Sequence, residues 1–227
     1  FSLMIIPSIL AFFLTFFLDE PPRKKIVGKD AYLKTLKKGV LYFKNHPALK
    51  VLALDRILVG VICFFAIWFW QVKFTNLDIP LVYFGLFHAL FVGMEIPVSM
   101  NFSFLERIFG GKKLYLFWST IIAGIGFLVA GLTSNVVLVT LGFILVFAFG
   151  LTRFVLFLHY FNKHTPSSVR ATVLSTINMM DALIRGSFYL LMGIVLEYSL
   201  TAALVSAGVL LMVIALVSKV KEEHLLD

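Results

Sequence analysis

Seven apolar stretches, at residues 1–18, 54–72, 79–104, 114–132, 136–159, 168–196 and 201–218, divide this chain of 227 residues. Each comes close to the roughly 20 apolar residues that cross the hydrocarbon core of a bilayer. Threading them through a membrane in order puts all but three of the 20 Lys and Arg residues on one side. Lys73 falls in a loop on the other side, and Arg153 and Arg185 fall inside apolar stretches. Lys and Arg accumulate in the short cytoplasmic loops of helical membrane proteins. That rule makes the loops 19–53, 105–113 and 160–167 and the tail 219–227 cytoplasmic. The expectation is an all-α, multi-pass protein of the cell membrane, starting outside and ending inside.

Composition agrees. Sixty per cent hydrophobic residues, 25 Phe and a mean hydropathy of +0.99 exceed what a soluble domain carries. A net charge of +8 would suggest nucleic acid in a soluble protein. Here the basic residues flank apolar spans, where the lipid bilayer and its anionic headgroups are the expected partner. Cys63 is the single cysteine and lies in an apolar run, which excludes disulfides and cysteine-based metal sites. It reads as a small buried hydrophobe. No metal or cofactor is expected. Phe1 opens directly on an apolar run, without the basic region or cleavage site of a signal peptide. The chain is therefore read as a fragment of a longer protein.

The main break in organisation is the long basic segment. Residues 19–50 hold Arg23, Lys24, Lys25, Lys29, Lys34, Lys37, Lys38, Lys44 and Lys50, and Pro21-Pro22 stops the preceding helix. Leu33, Leu36, Val40 and Phe43 recur at helical spacing, which predicts an amphipathic helix on the cytoplasmic membrane surface. Asn45-His46-Pro47 supplies a capping residue and a proline for the start of the next helix. The remaining six spans, residues 54–218, divide into three and three. An odd number of spans per half inverts the second half relative to the first, so the fold expected is a six-helix bundle of two inverted three-helix repeats plus one preceding helix.

Charge inside the bilayer is costly and faces a bundle interior or a wet cavity. The span 79–104 carries His88 and Glu95, the span 136–159 carries Arg153, and the span 168–196 carries Asn178, Asp181 and Arg185. The spans 114–132 and 201–218 carry no charge and read as lipid-facing throughout. At about 1.5 Å of rise per residue, Glu95 and Arg153 lie about 10–15 Å from the cytoplasmic ends, and His88 and Asp181 about 20 Å. These depths permit ion pairs of Glu95 with Arg153 and of Asp181 with Arg185. Either pair can simply hold helices together. Glu95 is the candidate for a carboxylate that exchanges a proton, because partial desolvation favours its neutral form. His88 is either a proton relay or a hydrogen-bonded buried histidine.

Glu106-Arg107-Ile108-Phe109-Gly110-Gly111-Lys112-Lys113 resembles the acidic–Arg–x–Gly–basic–basic loop between the second and third helices of each half of the major facilitator superfamily. It departs in having Glu for Asp, one inserted residue before the basic pair, and no leading Gly. Pro166 to Ser175 resembles the Pro-x-x-x-Arg-Ala-x-x-x-Ser start of the eleventh helix of drug-efflux-like members, with Pro166, Arg170 and Ser175 in register. There Ser167 or Ser168 would cap the helix. Trp70-Gln71 is similar to a feature of the seventh helix. The resemblance implies that 1–18 is the sixth helix, the last of an N-terminal half lying upstream. It implies further that 19–53 is the central loop, 54–218 the C-terminal half, and 114–132 and 201–218 its peripheral helices. It also implies Phe64, Trp68, Gln71, Thr152, Arg153 and Asn178 as cavity contacts.

The function expected is secondary active transport by alternating access, not enzymatic catalysis. Proton-coupled efflux (antiport) of a lipophilic or amphipathic small molecule comes first. Uptake of a small metabolite and a transporter-like sensor are the alternatives. A retinal protein would need a lysine inside the last span, where there is none. A membrane enzyme would need a clustered catalytic set, and His159 and His164 lack acidic neighbours in sequence.

Overall fold

A computed structural model describes residues 2–17 and 29–225, and every regular element among them is helical. The chain divides into two compact units, Phe1–Thr35 and Leu36–Asp227. The first contains α1 (Ser2–Thr15), with Pro7 inside it, and the start of α2 (Lys29–Asn45). The expected breaker Pro21-Pro22 and the basic residues Arg23, Lys24 and Lys25 lie outside the described residues.

The second unit holds six helical stretches long and apolar enough to cross a membrane. The first is α3 (Pro47–Thr75), which starts seven residues before its apolar stretch because Pro47 sits in its first turn. His46 holds the capping position without a side-chain bond, and Asn45 ends α2 instead of capping α3. The second span opens with a 3₁₀ turn, Leu81–Tyr83, and continues through α4 (Phe84–Gly93) and α5 (Glu95–Met100) to α6 (Phe102–Phe109). The third is α7 (Lys112–Leu132). The fourth joins α8 (Val136–Leu145), a π-helical turn Val146–Leu151 and α9 (Arg153–His164). Asn135 caps α8 by accepting from the backbone N–H groups of Val137 and Leu138. The last two are α10 (Arg170–Tyr198) and α11 (Leu200–Val217).

Contacts between spans follow the expected repeat. α3 packs on the fourth span and α7 on α11, joining first to fourth and third to sixth. α10 against α3 is answered by α4 and α5 against the fourth span, and α6 against α7 by α10 against α11. Exchanging the two triplets maps this pattern onto itself.

The charge-free third span is not lipid-facing throughout. α7 buries Tyr115, Ser119, Ala123, Phe127 and Ala130 completely. Its glycines explain how. A Cβ on Gly126 would stand 2.5 Å from the Gly142 carbonyl oxygen, and one on Gly142 would stand 2.6 Å from that of Gly126. On another side, Gly124 and Gly208 of α11 meet in the same reciprocal way, at 3.0 and 2.7 Å. Within lipid, helices associate through close packing at small residues, since apolar burial alone distinguishes nothing there. The absence of charge from α7 therefore marks a packing helix. The exposed spans are instead Leu81–Met100 and Arg170–Tyr198, which carry intramembrane charge.

Lys73 is likewise not in a loop. It lies in the last turn of α3, 7% exposed, and its ammonium donates to the Gly131 carbonyl at 3.5 Å. A cation on the final carbonyls of α7 is favourably placed against that helix's dipole.

The C-terminal half of α2 packs on the bundle through one residue of its predicted apolar stripe. Phe43 is buried against the bundle, while Leu36 and Val40 of the same stripe are exposed. Gly39 approaches α10 so closely that a Cβ would stand 2.5 Å from the Thr172 side chain. The Tyr42 hydroxyl donates to the His164 carbonyl at 2.9 Å.

Candidate functional site

Two polar clusters stand within the bundle. In the first, the Arg153 guanidinium is enclosed at the start of α9. Its Nη1 donates to the Leu116 carbonyl at 2.5 Å, Ser119 Oγ at 2.8 Å and Thr120 Oγ1 at 2.7 Å, all on α7. Its Nη2 meets Asp55 Oδ2 of α3 at 2.5 Å, and Ser218, just past α11, donates to Asp55 Oδ1 at 2.7 Å. One ion pair thus ties four spans together. The pair expected between Arg153 and Glu95 does not form, because Asp55 reaches the guanidinium instead. Arg153 and Thr152 are each 2% exposed, and the Thr152 hydroxyl donates to the Ala148 carbonyl at 2.6 Å. Both are interior residues and neither lines an open cavity.

The second cluster lies on the exposed face shared by α3, α9 and α10. Asp181 and Arg185, one turn apart on α10, form the expected ion pair. The Arg185 guanidinium lies over the Phe64 ring, 4.1 Å from its centroid. Arg56 donates to Asn178 Oδ1 at 3.2 Å and lies over the Phe154 ring at 4.8 Å. The two rings meet edge to face, with centroids 4.9 Å apart. Asp181 and Arg185 are within electrostatic reach of Arg56. Beside the cluster opens a cleft of about 290 Å³, lined by Arg56, Asn178, Phe154 and Phe161 among others.

Glu95 stands apart from both clusters, at the first residue of α5, where the span breaks. Pro97 accounts for the break: it offers no N–H to the Gly93 carbonyl four residues back and its ring crowds that position. Glu95 is partly exposed and has no hydrogen-bond or ion-pair partner among the described residues. One turn on, Ser99 lines a cleft of about 360 Å³ that also takes in Ser103, Glu106, His159 and Tyr160. His88 is neither buried nor hydrogen-bonded among described residues: it is exposed and stacked on Trp70, with ring centroids 6.0 Å apart. Trp68 and Gln71 are exposed on α3, away from the arginine cluster's contacts.

At the basic end, the loop resembling a family motif meets the tail. Gly110 and Gly111 adopt φ of +85° and +133°, which close α6 and which other residues rarely tolerate. Arg107 bonds the Ser103 carbonyl within its own helix at 3.2 Å. Glu222 then caps α7, accepting from the backbone N–H groups of Lys112 at 3.2 Å and Lys113 at 3.1 Å. Lys112 Nζ donates to the Leu225 carbonyl at 3.2 Å, and a ring nitrogen of His164 meets the His224 carbonyl at 2.8 Å. Burial holds the His46 imidazole below its ordinary value, and His164 adds to the effect. Burial also lowers His224, opposed by Glu223 and assisted by Lys221 and His164. At the start of α10, Val169 holds the capping position without a side-chain bond, so neither Ser167 nor Ser168 caps it. Pro166 instead closes a turn to Val169, Arg170 donates to the Thr165 carbonyl at 3.2 Å, and Ser175 is exposed.

Asp55 and Arg56 are the residues that reading the sequence missed. They open the span 54–72, and a helix beginning near residue 47 runs into the span through them, but neither is assigned a role from sequence. The start signal at His46-Pro47 places them about 12–14 Å along the helix, and that signal was available.

The sequence model of the Major Facilitator Superfamily matches residues 1–189. No curated protein and no solved structure matches the chain. Six apolar spans, a repeat-like contact pattern and a family match over most of the length converge. The chain belongs to the Major Facilitator Superfamily, a family of secondary membrane transporters.

Proposed function

We propose that the chain carries the coupling carboxylate and part of the substrate path of a proton-coupled exporter working by alternating access. The observation that carries this reading is Glu95. Asp55 is paired with Arg153 and Asp181 with Arg185, whereas Glu95 has no polar partner among the described residues. A half-buried carboxylate with no cation beside it has no fixed partner to lose when it takes up a proton, and that suits it to proton exchange. The break beside it and the polar cleft one turn away give protons a route to the basic end. Charge bias puts that end in the cytoplasm. The exposed face of α3 and α10 would meet an N-terminal six-helix half, with substrate between the two.

Arg153 and Asp55 are assigned to holding the bundle. The Phe64 and Phe154 rings support an amphipathic substrate, which favours efflux over uptake of a polar metabolite.

The test uses the full-length protein in liposomes with an imposed pH gradient. Three radiolabelled tracers of matched shape are offered: benzenesulfonate, benzenesulfonamide and benzyltrimethylammonium. An exporter exchanging protons accumulates a tracer in acid-loaded liposomes, and Glu95→Gln abolishes the accumulation while the variant stays folded. Tracer movement indifferent to the gradient, or undiminished in Glu95→Gln, defeats the proposal.

A further inference from the structure

We infer that the cluster formed by Arg56, Arg185, Asn178 and Asp181 binds the oxyanion head of an amphipathic organic anion, a carboxylate or sulfonate whose apolar body lies on Phe64 and Phe154. The inference rests on the reading of this face as substrate path.

Charge comes first. Two arginines share one carboxylate, and Asp181 is already bonded to Arg185. Among the described residues Arg56 has no ion-pair partner, and its hydrogen bond goes to the neutral amide of Asn178. A surplus cation within an apolar span is costly unless something negative meets it. The Arg153 site shows how this chain satisfies an arginine meant to stay paired: four acceptors and near-complete enclosure. Arg56 has neither.

Geometry follows. Each guanidinium lies over one ring of an edge-to-face pair, so its flat side is occupied. Arg56 spends one N–H on Asn178 and Arg185 one on Asp181, and the remaining N–H groups have no protein acceptor among the described residues. The N–H edge of a guanidinium is a planar fork matched to two oxygens of an oxyanion. A cleft of about 290 Å³ opens next to Arg56 and is walled by Phe154, Leu158 and Phe161. Its size suits a small aromatic or aliphatic acid. Further along α10, Arg185 Nε and the Tyr189 hydroxyl are buried without partners. They extend a polar row of Asn178, Asp181, Arg185 and Tyr189 down one helix face. Arg56 and Asn178 lie about 12–14 Å along their helices, but Arg185 lies about 22 Å along α10 from Arg170, so an oxyanion that meets both arginines sits deeper than a lipid phosphate. A soluble organic acid is therefore the occupant assigned.

Thermal unfolding of the purified full-length protein in neutral detergent tests this. Benzenesulfonate should stabilise it saturably, and benzenesulfonamide and benzyltrimethylammonium should not. Arg56→Gln should weaken benzenesulfonate binding about tenfold or more, as loss of a charge-assisted bond does. Arg56→Lys should keep the preference for the anion with reduced affinity. Stabilisation by the cation, or an anion effect unchanged in Arg56→Gln, overturns the inference. So does competition by phosphatidylglycerol, which would make the site a lipid contact. Anion binding without pH-driven flux would defeat the transport reading and leave this one standing. Flux of the cation alone would do the reverse.

Discussion

Asp55 and Arg56 are neighbours in the chain and belong to opposite kinds of site. Asp55 faces inward, where Arg153 and Ser218 satisfy it and three further groups of α7 satisfy its partner. Arg56 faces the open side, bonded to one amide and lying over the Phe154 and Phe161 rings. Both clusters consist of ion pairs and hydroxyl or amide groups at similar depth. They differ in closure. Asp55 and Asp181 are both buried, but the Arg153 side chain is 3% exposed and bonded to four acceptors, whereas that of Arg185 is 27% exposed and a second arginine, Arg56, stands beside it. Intramembrane charge alone therefore does not mark a transport site. The proposed transport role of the second cluster rests instead on its two arginines facing one carboxylate beside a cleft.

The largest effect expected from breaking this contrast is in the enclosed cluster. Arg153→Met strands Asp55 among apolar groups and should lower stability by about 3–5 kcal/mol, read from thermal or denaturant unfolding in detergent. Combining it with Asp55→Leu should recover most of the loss, because no buried charge then remains unpaired. Gly126→Val probes the close packing of α7 on α8, further along the same helix. Its side chain would push into the Gly142 backbone and should cost about 1–3 kcal/mol or more by the same assay.

The open cluster should answer differently. Arg185→Gln keeps a hydrogen-bond donor beside the buried Asp181, so it should lower the unfolding midpoint far less than Arg153→Met while cutting tracer flux about tenfold, equivalent to about 1.4 kcal/mol. Smaller effects are expected at the basic end, outside both clusters. Glu222→Gln removes a charged cap from α7 and should cost about 1 kcal/mol, reduced in high salt. Acid should loosen the same region. His46 and His224 titrate below their ordinary value of 6.5 when folded, so the unfolded chain takes up protons first. Stability from the docked tail is thus present above 6.5 and declines as pH falls through and below it. Faster amide exchange near residues 220–225 at pH 5 than at pH 8, corrected for intrinsic rates, would register the change.

Much of the architecture was legible because lipid imposes a simple rule: long apolar runs with basic residues at one set of ends. The class, the six spans of the second unit and their three-plus-three repeat follow from it. Position on a helix face was harder. The absence of charge from residues 114–132 looked like exposure to lipid, but Gly124 and Gly126 show a helix clasped on two sides. Glycine spacing was the overlooked signal. Pro97 likewise announced a break next to Glu95. The Asp181–Arg185 pair could be read from i, i+4 spacing, whereas Arg153 to Asp55 joins residues 98 apart and depends on which helices touch.

The central claim is that Arg153 holds the bundle and Arg185 serves transport. It is tested most directly by measuring unfolding midpoint and pH-driven benzenesulfonate flux on the same preparations of Arg153→Met and Arg185→Gln full-length protein. The account predicts a large fall in midpoint for Arg153→Met, and for Arg185→Gln a much smaller fall with flux reduced about tenfold. An Arg185→Gln protein that unfolds as readily as Arg153→Met, or that transports as well as the unaltered protein, would contradict it.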